Sequence, residues 1–165
     1  MAEAKGGHPI LAQFFRHNLW ANLALIDFLA TVPDEVLETS VPGTFGSIRE
    51  TLMHVVGAEE RYLARVTGGP DRRNPTLEET DPDLATLRER VRQSGEGLVA
   101  YAASVVGDPV LHETWDGVPH ELPVSLRLVQ AINHATDHRT QIKTALTQAG
   151  FDPPELDGWT WDEAR

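Results

Sequence analysis

Apolar residues recur at three- and four-residue spacing in four stretches, and that rhythm predicts four helices. The first covers residues 9–30, with Leu11, Phe14, Phe15, Leu25 and Leu29 on its stripe. Pro9 suits a first-turn position, and Pro33 lies just past the end. The second covers residues 48–66, with Ile48, Leu52, Val55, Tyr62 and Val66 on one face. Ser47 followed by Glu50 reads as a capping box, and Gly68-Gly69 as a stop. The third follows Asp81-Pro82, read as a cap and a first helical position. Leu84, Leu87, Val91, Leu98 and Val105 set its face, and Gly95 and Gly97 are expected to weaken its middle. The fourth covers residues 124–149, with Val124, Leu128, Ala131, Ala135, Ile142 and Leu146 facing inward and Gly150 ending it.

The stretches between these segments are of different kinds. Residues 70–80 are polar and read as a connection. Residues 110–122 lose the helical rhythm and suit a short hairpin around Asp116-Gly117, although Pro119 and Pro123 count against strands. The tail, residues 151–165, carries Trp159 and Trp161, which suggests that it docks on the helices. The expected fold is therefore all-α: one domain over residues 1–165, a four-helix bundle with an irregular or hairpin insert before the last helix. The first seven residues are expected to be disordered.

Composition narrows the function. The net charge of -11 repels phosphate backbones and no basic run is present, so nucleic acid is not an expected partner. No apolar stretch approaches the ~20 residues that cross a bilayer, so no membrane is expected either. The N-terminus is polar and lacks an apolar signal core, which points to a cytoplasmic protein. There is no cysteine. Disulfides, thiolate ligands and a cysteine nucleophile are excluded, and any zinc-type site must use histidine and carboxylate.

Seven histidines are available. His134 and His138 are four apart on the fourth helix, so their rings project from one face, one turn apart. That spacing lets two imidazoles share an ion at about 2.0–2.1 Å. The competing explanation is a pair of histidines on a solvated face, which is common. Both lie at the edge of the apolar arc, as do Gln130 and Gln141, and His54 has a similar place on the second helix. Spacing alone does not choose a third ligand among His54, His17, His112 and His120.

Other polar residues invite simpler roles. Glu59 falls on the apolar stripe and suits a buried group paired with arginine or asparagine, or a general base. Asn18 and Asn22 interrupt an apolar face and are expected to bind backbone or each other. Trp20 reads as core. Asp137 is adjacent to His138 and so points about 100° away from it, which weakens a role in orienting a ligand. Arg139 could bind an anionic substrate, but suits better a salt bridge to one of the 25 acidic residues.

Three blocks together resemble the DinB, or DinB/YfiT-like, family of metalloenzymes. His17-Asn18-Leu19-Trp20-Ala21-Asn22 is similar to the family's aromatic-Asn-x-Trp-Ala-Asn pattern, with His17 where an aromatic is usual. Residues 46–63, from Gly46-Ser47-Ile48 through His54 to Tyr62-Leu63, resemble its second helix. Asn133-His134-Ala135-Thr136-Asp137-His138-Arg139-Thr140-Gln141 resembles its Asn-His-x-x-x-His-Arg-Gly-Gln block. Thr140 replaces the usual glycine, and Asp137 stands where a further histidine is often found. The resemblance implies a four-helix bundle and one divalent metal ion, zinc or nickel, held by His54, His134 and His138. It also implies open coordination positions, as in a catalytic site. Relatives include bacillithiol S-transferases and mycothiol-dependent isomerases, so the implied partners are a small-molecule substrate, a low-molecular-weight thiol and a second copy in a homodimer. A metal-dependent hydrolase and a non-enzymatic, stress-induced binding protein are the alternatives. No catalytic side chain is singled out.

Overall fold

The computed structural model describes residues 7–69 and 81–165. The order is α1 (Pro9–Leu29), a 3-10 turn (Asp34–Glu38), α2 (Ile48–Thr67), α3 (Leu84–Ser104), β1 (Val110–Trp115), β2 (Val118–Pro123), α4 (Val124–Gln148) and α5 (Gly158–Glu163). Four long helices and a two-stranded insert match the expected all-α bundle. The expectations for residues 1–6 and 70–80 lie outside the described residues.

Local chemistry sets most boundaries. Pro9 occupies the first turn of α1. The capping box of α2 forms as read: Ser47 Oγ accepts from Glu50 N–H, and Glu50 Oε2 accepts from Ser47 N–H. Gly68 closes α2 in the left-handed conformation, which only glycine adopts without strain. The start of α3 differs from expectation. Asp83, not Asp81, is the cap, because its carboxylate accepts from Thr86 N–H at 2.7 Å, and Pro82 stays outside the helix.

The glycines of α3 do not break it. A Cβ at Gly95 would lie 2.6 Å from Leu19 Cδ1, and one at Gly97 would lie 2.6 Å from Leu63 Cδ2. Each marks a close approach, to α1 and α2 respectively. Tertiary packing outweighs the weak intrinsic propensity.

The hairpin forms around Asp116 and Gly117, both at positive φ (49° and 80°), as a two-residue primed turn requires. Pro119 and Pro123 are tolerated because each strand of a two-stranded ladder has a free edge.

α1 packs on α3, α2 packs on both α3 and α4, and α1 completes the ring against α4. The core forms two apolar clusters. One contains Leu25, Ile26, Leu29, Leu52, Val56, Leu87, Val91, Ile142 and Leu146. The other contains Phe15, Val66, Leu98, Ala102, Leu128 and Ala131. Between them, in each of the four long helices, lies a buried polar residue: Asn18 and Asn22 in α1, Glu59 in α2, Ser94 in α3 and Arg139 in α4. The order of clusters along each helix shows that α1 and α4 run one way and α2 and α3 the other.

Two apolar expectations fail. Phe14 is exposed, while its neighbour Phe15 fills the core. Trp20 is half-buried rather than core. Of the tail's two tryptophans, only Trp161 docks. His17 contacts the Leu156 carbonyl oxygen through Nε2 at 2.9 Å and meets Trp161 edge-on, whereas Trp159 is 82 % exposed.

Candidate metal centre

The α2–α4 contact brings His54, His134 and His138 together. One ligand-type nitrogen from each lies within 4.8 Å of the other two. His54 comes from the middle of α2. The other two come from successive turns of α4, at the level where the buried polar layer crosses the bundle. The remaining competitors are elsewhere. His17 binds the tail, and His112 sits beside Glu121 on the exposed hairpin. His120 is on β2, and neither it nor His8 joins the cluster.

The donor geometry fits a shared ion. The Nε2 atoms of His54 and His134 are 2.9 Å apart. Two nitrogens each about 2.0–2.1 Å from one ion, and 2.9 Å from each other, subtend about 90°. Without an ion the contact is a hydrogen bond, so one ring carries its proton on Nε2 and the other on Nδ1. Binding an ion requires both lone pairs to face inward.

Electrostatics favours neutral rings, the form that binds metal. Burial lowers the pKa of His54, helped by the charges of His138 and Arg61. Burial likewise pushes His134 down to about 4, with His138, His54 and Arg61 adding to the effect. Asp137 is exposed, and its charge only weakly opposes this shift.

Two aromatic rings wall the cluster. Phe45, in the loop before α2, stacks on His54 with centroids 4.0 Å apart and meets His138 edge-on at 5.6 Å. Tyr62 meets His134 edge-on at 5.8 Å. Arg127 lies over Tyr62 and pairs with Glu113 of β1 at 2.6 Å, so the hairpin is tied to the wall of the site. The helical pattern placed Tyr62 on a core stripe and passed over Phe45. A large aromatic in a polar, glycine-bounded loop was the available signal.

Behind the histidines the polar layer forms one network. Glu59 Oε2 accepts from the side-chain amides of Asn18 and Asn22 at 3.0 and 2.9 Å. Its Oε1 accepts from Ser94 Oγ at 2.7 Å. Arg139 donates to the Oδ1 atoms of the same two asparagines, at 2.7 and 2.6 Å, and to Thr136. The two asparagines therefore bridge a buried carboxylate and a buried guanidinium. This corrects two expectations: the asparagines bind neither backbone nor each other, and Arg139 reaches its acid through them rather than in a direct salt bridge. Burial pushes the Glu59 carboxyl up to about 7, against Ser94, Arg139 and Asn18, which pull it down.

Comparison with known proteins identifies the family. The sequence model of the DinB family matches residues 1–164. The chain is also similar to Protein DinB of Bacillus subtilis (strain 168), 22 % identical over 157 residues that cover 84 % of this chain and 86 % of that protein.

Proposed function

The chain belongs to the DinB family, and from that premise we propose that His54, His134 and His138 hold one divalent metal ion, zinc or nickel, for transfer of a low-molecular-weight thiol to a small-molecule substrate. The observation that carries the metal reading is the convergence of three half-buried imidazoles, two of them 2.9 Å apart at Nε2. Three neutral ligands leave an ion its full charge and at least one open position, the form of a catalytic site. When bound, the ion supplies Lewis-acid chemistry that favours the thiolate of an incoming thiol.

The chain's own residues prepare that position. Having no cysteine, the protein draws its thiol from outside. Phe45 and Tyr62 keep water from two sides of the cluster. Arg61 is exposed, yet close enough to depress both His54 and His134. It supplies a positive charge at the mouth for the carboxylate of a thiol cosubstrate. The thiol part rests on likeness to the family's thiol-using members.

Metal analysis of the purified protein should give about one ion per chain, and His54→Ala should abolish tight binding. Full metal content in that variant would show the triad to be wrong. In cobalt-loaded protein, a thiol-dependent shift of the absorption bands supports the transferase. Ester or amide hydrolysis that needs metal but no thiol replaces it with a hydrolase. Inactivity in both assays leaves a metal- or ligand-binding protein. Sedimentation tests the homodimer suggested by family likeness.

A further inference from the structure

We propose that Gln141 is a positioning residue: one carboxamide oxygen both selects the metal-binding tautomer of His138 and ties the Phe45 loop over the site. The inference rests on the metal reading above.

Two contacts meet at that oxygen. The Phe45 backbone N–H lies 2.9 Å from Gln141 Oε1, and His138 Nδ1 lies 3.1 Å from the same atom. A side-chain amide can ordinarily be turned either way, and an imidazole has two neutral tautomers. Here the backbone removes both ambiguities. A peptide N–H only donates, so the atom facing Phe45 is the carboxamide oxygen. An oxygen only accepts, so His138 Nδ1 carries a proton. The neutral ring then has its lone pair on Nε2, the nitrogen left to face His54 and His134.

The same contact has a second effect. Gln141 is three residues after His138 on α4, so both side chains leave one face of the helix. Phe45 belongs to the loop before α2 and is 52 % exposed. The Gln141 bond holds this exposed aromatic in place, where it stacks on His54 and meets His138 edge-on. One side chain thus orients a ligand from α4 and places the aromatic cover on a ligand from α2. Acceptors of this kind on ligand histidines typically contribute about 10–100-fold to metal affinity.

Two measurements test the proposal on the full chain. In metal-free wild-type protein, long-range nitrogen–proton NMR should show His138 protonated on Nδ1. A ring protonated on Nε2 overturns the proposal. In cobalt titrations, Gln141→Leu, which removes the acceptor, should bind about 10–100-fold more weakly with unchanged helical content. Gln141→Glu, which keeps an acceptor, should retain affinity. A role that depends on side-chain bulk alone would not distinguish the two replacements, and wild-type affinity in Gln141→Leu overturns the proposal. If Gln141→Leu does not fold, the wild-type NMR result decides. If wild-type protein binds no metal, the metal reading fails, while the tautomer still reports whether Gln141 orders His138.

Discussion

Two polar clusters lie a few residues apart on the same helices, and they are built on opposite rules. Glu59 and Arg139 are buried with a partner for both charges: the carboxylate accepts three hydrogen bonds, and the guanidinium donates three. His54, His134 and His138 are only half-buried and mainly face one another. Three groups that all prefer to accept an ion or a proton have been pressed together without an acid among them. The first cluster is satisfied by the protein itself. The second is the cluster for which we propose a metal ion that the chain does not supply. A buried polar layer thus becomes a scaffold when it is internally paired, and a site when its lone pairs converge.

The largest test of this contrast removes one charge from the paired cluster. Glu59→Ala leaves Arg139 and two asparagines buried without their acceptor. The expected loss is about 3–5 kcal/mol in denaturant unfolding, the range for one broken partner of a buried pair. A loss under about 1 kcal/mol would show that the network is not a matched unit.

Acid gives the next test, because the clusters respond with opposite signs. His134 is held at about 4, below its unfolded value of 6.5. Its contribution to metal-free stability is therefore present above pH 6.5 and is lost as pH falls toward 4. Glu59 is raised from 4.5 to about 7. Its contribution is present below pH 4.5 and is lost as pH rises through 7. In Glu59→Gln, unfolding midpoints should fall more steeply between pH 6.5 and 4.5 than in wild type. In His134→Ala the acid loss should shrink or reverse. Identical pH profiles in both variants would contradict this assignment.

The smallest expected effect comes from the mouth of the site. Arg61 lowers both His54 and His134 by its charge. Arg61→Ala should raise both and move the acid limit of metal retention to higher pH, with little change in unfolding at pH 8. Added salt should reduce the shift, since Arg61 is exposed. An unmoved acid limit would mean that Arg61 does not act on the histidines.

Much of this protein was legible in its residues. The capping box at Ser47, the stop at Gly68 and the primed turn at Asp116-Gly117 are local chemistry, in which a few adjacent residues decide the backbone. The helical rhythm placed four elements for the same reason. Local rules misplaced the cap of α3, where Asp83 rather than Asp81 reaches the Thr86 amide, and predicted weakness at Gly95 and Gly97, where the structure has close contacts instead.

The site was only partly legible. Spacing paired His134 with His138, and family resemblance added His54, but a helical wheel says nothing about which faces meet. The α2–α4 packing decided that three imidazoles converge, that Phe45 meets two of them, and that one oxygen of Gln141 serves two elements. It also turned four isolated polar anomalies, Asn18, Asn22, Glu59 and Arg139, into one neutralised layer. The physical reason is range. Caps, turns and helical faces are set by neighbours within a turn of the chain, and sequence order alone determines them. Convergence of side chains 121 positions apart, as between Asn18 and Arg139, is set by how apolar clusters pack, and only the folded bundle decides it.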